Sequence, residues 1–149
     1  MKAKGLRPLG FCFKKTQMEK YLYFRTVTNI ADDDADGDSV CFPLSSLLGM
    51  QPANDGRLAL FFIPIVRISG GVTDGSDFTN ADSVVLNLNT ANNHKQAIKG
   101  LIEAFNKASS FGSESSNSDF IVVGDDITGE YIIPEVLTVG AITIGAAFS

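Results

Sequence analysis

Apolar residues in this chain fall into short runs separated by polar breaks, and most of the runs have the length of strands. Tyr21–Thr28 is rich in aromatic and β-branched side chains, which suit a pleated, half-buried surface. It runs into Asn29–Ser39, a polar segment holding five aspartates. Val40–Leu44 resumes as a short strand, and Ser45–Met50 is ambiguous, with a helical turn as one reading. Asn54–Asp55–Gly56 signals a tight turn, because Asp-Gly tolerates the positive φ angles of hairpins. Arg57–Ile68 reads as a long apolar strand. Its apolar positions are continuous rather than alternating, which implies cover on both faces. Pro64 cannot donate a ladder hydrogen bond, so it implies an edge or a bulge.

The pattern changes period after the Gly-, Asp-, Ser- and Thr-rich loop Ser69–Asn80 and the strand Ser83–Asn89. Ala97, Ile98, Leu101, Ile102 and Phe105 recur at three-to-four spacing and predict an amphipathic helix over Asn93–Ala108. Lys95, Lys99, Glu103 and Lys107 occupy its other face, and Thr90 or Asn92 is placed to cap it. Gly100 costs about 1 kcal/mol relative to Ala inside a helix, so its presence suggests close packing against a sheet. After the serine-rich linker Ser109–Ser118, Phe120–Val123 and Tyr131–Ile133 flank the polar turn Asp125–Glu130 as a hairpin. Pro134 ends that hairpin, and Val136–Ile144 is the last strand. Roughly seven strands and one helix, without regular alternation, predict an α+β domain. The expected form is a mainly antiparallel sheet, or a small sandwich or barrel, with the helix packed on one face.

Composition confirms a globular class: 149 residues, 44% hydrophobic and 19% charged, suit a single domain with its own core. No apolar run approaches the ~20 residues of a membrane helix, so no membrane partner is expected. Charge divides the chain more sharply than its net −5 suggests. Residues 1–17 carry Lys2, Lys4, Arg7, Lys14 and Lys15 and no acid, and read as a basic extension or arm. Residues 18–149 hold seven basic and seventeen acidic residues and read as one acidic, β-rich domain. A body of that charge repels phosphate backbones, so no nucleic-acid partner is expected. The basic segment lacks the continuous ~7–15-residue apolar stretch of a secretory signal. Cys12 and Cys41 lie in different kinds of segment and read as unpaired thiols of a reducing compartment, or of a particle assembled there. Met18 stands just before the first strand, where a chain of this type would also begin naturally.

Few residues carry candidate chemistry. Asp32, Asp34, Asp36 and Gly37 match the first positions of a calcium loop, and Asp38 extends the cluster. The twelfth position is Pro43 rather than a bidentate glutamate, and strands rather than helices flank the loop. Calcium at Asp32, Asp34, Asp36 and Asp38 is therefore the only cofactor expectation, set against a solvated acidic loop that blocks edge pairing. Asp125 and Asp126 read as solvated turn carboxylates. His94, the single histidine, has no nucleophile motif beside it and reads as an exposed residue at the helix start. No catalytic residue is expected. Leu58–Val66 is more apolar than a one-sided sheet needs, which makes Phe61, Phe62 and Ile63 candidates for an interface as well as for the core. Leu9, Phe11 and Phe13 of the basic arm are further interface candidates.

Several strings carry a resemblance. Lys20-Tyr-Leu-Tyr-Phe-Arg-Thr26 precedes the acidic insert and Phe42-Pro-Leu-Ser-Ser-Leu-Leu-Gly-Met50. Asp82-Ser-Val-Val-Leu-Asn-Leu88, His94-Lys95, the amphipathic helix and Ile127-Thr-Gly-Glu-Tyr-Ile132 come later. Over Met18–Ile144 this pattern resembles small virion-associated proteins of tailed phages that infect marine bacteria, cyanobacteria among them. The resemblance implies a non-enzymatic structural protein of the capsid decoration or cement type, made in the host cytoplasm and located in the virion. Its implied partner is the major capsid protein or another virion protein, and excess apolar strand adds an expectation of self-association. Alternative expectations are a self-assembling tube, filament or tail-associated subunit, and a small metal- or ligand-binding module.

Overall fold

The computed structural model describes residues 19–65, 81–110 and 119–144. The basic arm with Leu9, Phe11, Cys12 and Phe13, the segments 66–80 and 111–118, and residues 145–149 lie outside the described residues. The polar-apolar runs fold as β1 (Tyr21–Arg25), β2 (Ser39–Pro43), β3 (Leu47–Asn54), β4 (Arg57–Phe62) and β5 (Asp82–Leu88). Then come α1 (His94–Ser110), β6 (Phe120–Asp125), β7 (Glu130–Tyr131) and β8 (Val136–Thr143). Among the described residues the class is α+β: eight strands in two four-stranded sheets, ordered β2-β1-β6-β7 and β3-β4-β5-β8, and one α-helix. All pairings are antiparallel except β1 with β6, and neither sheet closes into a barrel.

Alternation decides what each strand buries. Leu22 and Phe24, Val40 and Phe42, and Ile121 and Val123 turn inward from the first sheet. Leu58, Leu60 and Phe62 meet them from β4, as do Val84, Leu86 and Leu88 from β5. Ala97, Leu101 and Phe105 of α1 join the same core, while Ile98 is half-buried and Ile102 exposed. Gly100 faces the β7–β8 connection rather than a sheet: a Cβ there would stand 3.4 Å from two carbons of Ile133, about ordinary contact distance, so close packing against a sheet does not account for this glycine. The helix begins one residue later than the sequence suggests. Asn93 O accepts from Ala97 N, whereas Asn92 takes a positive φ of 63°, a conformation asparagine tolerates.

Three departures from the sequence reading have clear causes. Ser45–Met50 divides into a 3-10 turn at Leu44–Ser46 and the start of β3, an almost wholly exposed edge strand. β4 ends at Phe62, so Pro64 follows the strand rather than interrupting it. The Asp55–Gly56 turn closes the β3–β4 hairpin without positive φ at Gly56; instead the Asn54 side chain accepts from Gly56 N at 3.0 Å. In β8 the buried residues Val136, Val139 and Ile142 fall at every third position. Register shifts opposite Val85/Leu86 and Asn87/Leu88 set Gly140 and Leu137 out as bulges, and the strand turns the same face inward each time.

Gly124 is required by close approach. A Cβ there would lie 2.6 Å from Cγ2 of Val139, a stiff, buried side chain of the opposite sheet. Gly124→Ala is expected to lower stability by about 2 kcal/mol, the usual cost of one methyl forced into a packed core. Urea unfolding measures it; an unchanged midpoint would mean that the two sheets separate freely at this point.

Candidate functional site

The outward face of the first sheet is built by register. Tyr21 pairs with Pro43 on one side and Phe120 on the other; Tyr23 lies between Cys41 and Val122; Arg25 lies between Ser39 and Asp125. These residues share the pleat side opposite Leu22 and Phe24, so the face reads as two apolar rows and one ionic row. Tyr21 is 44% exposed and Phe120 49%. The Tyr23 and Phe120 rings meet with centroids 5.5 Å apart. Exposed aromatics grouped in this way mark interaction surfaces more often than singly scattered apolar residues do.

The ionic row is saturated. Arg25 Nε donates to Asp125 Oδ1 at 2.8 Å and Nη2 donates to Oδ2, a bidentate pair. Arg25 Nη1 donates to Asp33 Oδ2 at 3.3 Å, and Ser39 Oγ donates to Asp33 Oδ1 at 2.7 Å. Asp125 Oδ1 also accepts from the amides of Ile127 and Thr128. Burial pushes the Asp125 carboxyl up, but Arg25 and these two amides outweigh it and hold it below the usual carboxylate range. The bond to Asp125 in turn holds the Arg25 guanidinium above its ordinary value. Asp126 accepts from Tyr131 Oη at 2.7 Å and from Val139 N at 3.0 Å, which ties the turn to the second sheet. Burial, and then that bond, push the Tyr131 phenol up to about 12. Asp125 and Asp126 are thus fixed structural acceptors, not solvated turn carboxylates. Asp125 is buried, and its partner Arg25 lies 100 residues earlier in the chain, out of reach of any local pattern.

The other expected positions are dispersed. Asp32, Asp34 and Asp36 are exposed, while Asp38 Oδ2 accepts from the amides of Asp34 and Ala35 and shapes the loop itself. Asp33, which the calcium spacing leaves out, is the loop residue joined to β1. Among the described residues no three His, Cys, Asp or Glu side chains come together as a metal site. Phe62, an interface candidate on sequence, is fully buried; its ring stacks on Phe42 with centroids 4.1 Å apart. It therefore belongs to the core, because β4 turns Leu58, Leu60 and Phe62 to the same inner side. Phe61 and Ile63 are half-buried. His94 is half-buried rather than exposed. Its Nε2 lies 2.7 Å from Asn54 O and 3.1 Å from Arg57 O, so that nitrogen carries the proton and anchors α1 to the β3–β4 hairpin. A shallow groove of about 570 Å³ runs beside it, lined chiefly by Pro52, Ile98, Ile102 and the lysines 95 and 99. Cys41 is a free thiol on the aromatic face, and burial raises its pKa.

Tyr21, Tyr23, Phe120 and Val122 were the residues sequence reading passed over. The available signal was that Tyr21-Leu22-Tyr23-Phe24 has large side chains at both alternating sets, one more apolar face than a one-sided sheet requires. Comparison of the chain with protein-family models, with curated proteins and with solved structures gives no match in any of the three. Among the described residues no helix is long and apolar enough to cross a membrane.

Proposed function

We propose that this chain is a non-enzymatic structural protein of a phage particle, of the capsid decoration type, which docks on the lattice of the major capsid protein. The observation that carries the docking part is the aromatic outer face of the first sheet, with Tyr21 and Phe120 each about half exposed beside Tyr23. The assignment to a phage particle follows from the sequence resemblance. The ionic row supports a binding rather than a catalytic reading: its carboxylates are committed to Arg25, Ser39 and backbone amides, leaving no base poised beside a nucleophile. A domain that binds only the assembled lattice stabilises it by mass action, and repetition over a symmetric shell multiplies a weak contact.

Co-sedimentation of the purified chain with purified capsids tests this directly. Binding is expected at a fixed ratio to the capsid protein. The Tyr21→Ser, Phe120→Ser double variant, whose positions are exposed enough to leave the core intact, is expected to bind at least about tenfold more weakly, as for aromatic anchors elsewhere. Absence of the chain from purified virions, together with no co-sedimentation, would end the reading. Polymerisation of the pure chain with rising concentration would favour the tube or filament alternative.

A further inference from the structure

We propose that copies of this chain join head to tail, the acidic loop that carries Ile30 in one copy seating in the groove between α1 and β3 of the next. Neither surface belongs to the aromatic face, so the contact goes beyond the proposed function: on a shell it would link neighbouring copies, and in a filament it would be the joint.

The two surfaces are complementary. Pro52 of β3 and Ile98 and Ile102 of α1 line the groove, and Ile102 is 48% exposed. The exposed Lys95 and Lys99 line it too. Glu103 is also there, but its ion pair with Lys99, at 3.6 Å, is exposed and weak. The groove is thus an apolar seat of net positive charge. The loop offers the converse. Ile30 is 67% exposed on the 3-10 turn Ile30–Asp32, and the exposed Asp32, Asp34 and Asp36 follow it along the chain. The loop's shape is set by its own bonds. Asn29 Oδ1 accepts from Ala31 N at 3.1 Å, Asp38 Oδ2 accepts from Ala35 N at 2.7 Å, and Arg25 holds Asp33. A loop shaped in advance loses little freedom on docking.

Placement decides the occupant. β3 and β8 are opposite edges of the second sheet. The groove lies at the β3 edge, where His94 Nε2 anchors the start of α1 to Asn54 O. The loop lies at the β8 edge. Thr26 Oγ1 donates to Val139 O at 2.8 Å, Thr26 N donates to Asp38 O at 2.9 Å, and a Cβ on Gly37 would stand 3.1 Å from Ile142 O. Held there at both ends, the loop cannot reach the groove of its own chain; a second copy supplies one. Two different surfaces meeting in this way close into a ring or continue as an open chain. One loop in one groove buries less than the roughly 1,200–2,000 Å² of a stable interface, so the contact is weak and forms at high concentration.

Sedimentation equilibrium of the full chain under reducing conditions, from about 10 μM to about 1 mM, tests this. The average mass is expected to rise across that range, and the rise to be lost in about 0.5 M salt, which screens the charges. The Lys95→Glu, Lys99→Glu variant and the Asp32→Lys, Asp34→Lys variant each set like charges face to face. Each is expected to stay monomeric alone, with its melting temperature held. Their equimolar mixture is expected to associate again, because every loop then meets a groove of opposite sign. Ile30→Ser, which leaves all charges in place, is expected to weaken association about fivefold. A parent chain that is monomeric throughout the range would overturn the proposal. So would a charge-reversed variant that associates as the parent does, or a mixture of two folded variants that stays monomeric. No capsid enters these measurements, so failure of lattice binding leaves their result standing.

Discussion

Replacing Phe62 by alanine is expected to destabilise the protein by about 4 kcal/mol, and replacing it by glutamate to prevent folding altogether. The ring is fully buried between the sheets, stacked on Phe42 and edge-on to Phe24 at 5.9 Å. Alanine leaves a cavity that these two neighbours cannot fill without separating the sheets. It also removes two aromatic contacts worth about 0.5–1.5 kcal/mol each beyond their area. Glutamate adds an unpaired charge to the same place, at a cost comparable to the whole stability of a small domain, about 5–15 kcal/mol. Denaturant titration of the alanine variant and circular dichroism of the glutamate variant check both. A folded Phe62→Glu monomer would move this residue from the core to a surface.

Asp125→Asn is expected to cost about 2–3 kcal/mol at neutral pH, because it halves a bidentate charge-assisted pair and leaves the Arg25 guanidinium short of one anion. The pH dependence has a definite sign. The Asp125 carboxyl lies lower in the folded protein than its unfolded value of about 3.9. Its contribution is therefore complete above about pH 4 and is lost as the pH falls through the folded value. The stability difference between the parent and Asp125→Asn should be largest at neutral pH and should shrink in acid. Urea titrations at pH 7 and pH 3 measure this; a difference that stays constant would show that the carboxylate charge plays no part in holding the turn.

Legibility in the sequence followed the length scale of the interaction. β5 shows strict alternation, with Asp82, Val84, Leu86 and Leu88 inward, and α1 shows its core stripe at Ala97, Leu101 and Phe105; both are local signals. β3 was hidden because an exposed edge strand containing Gly49 and Pro52 has no apolar period to display; backbone pairing with β4 makes it a strand. β8 has a period of three only because bulges at Leu137 and Gly140 reset its pleat, and bulges depend on the partner strand. The run Leu58–Ile63 is apolar at every position, so no pattern could separate the buried Phe62 from the half-buried Phe61. The Arg25–Asp125 pair and the Tyr23–Phe120 contact join opposite ends of the chain, and each half looks ordinary alone. The candidate surface was thus less legible than the fold, because it exists only once β1 and β6 lie side by side.

That parallel pairing of β1 with β6 has a kinetic consequence. β1 finds its neighbour β6 only after residue 119 has been made, so local contacts cannot complete the first sheet. Structures dominated by such distant pairings form on the millisecond-to-second scale rather than in microseconds. During synthesis the β1–β2 hairpin emerges with one side of β1 open and waits until β6 (Phe120–Asp125) has been made. The interval before β6 arrives is when this protein is most exposed to sticking to its own nascent copies.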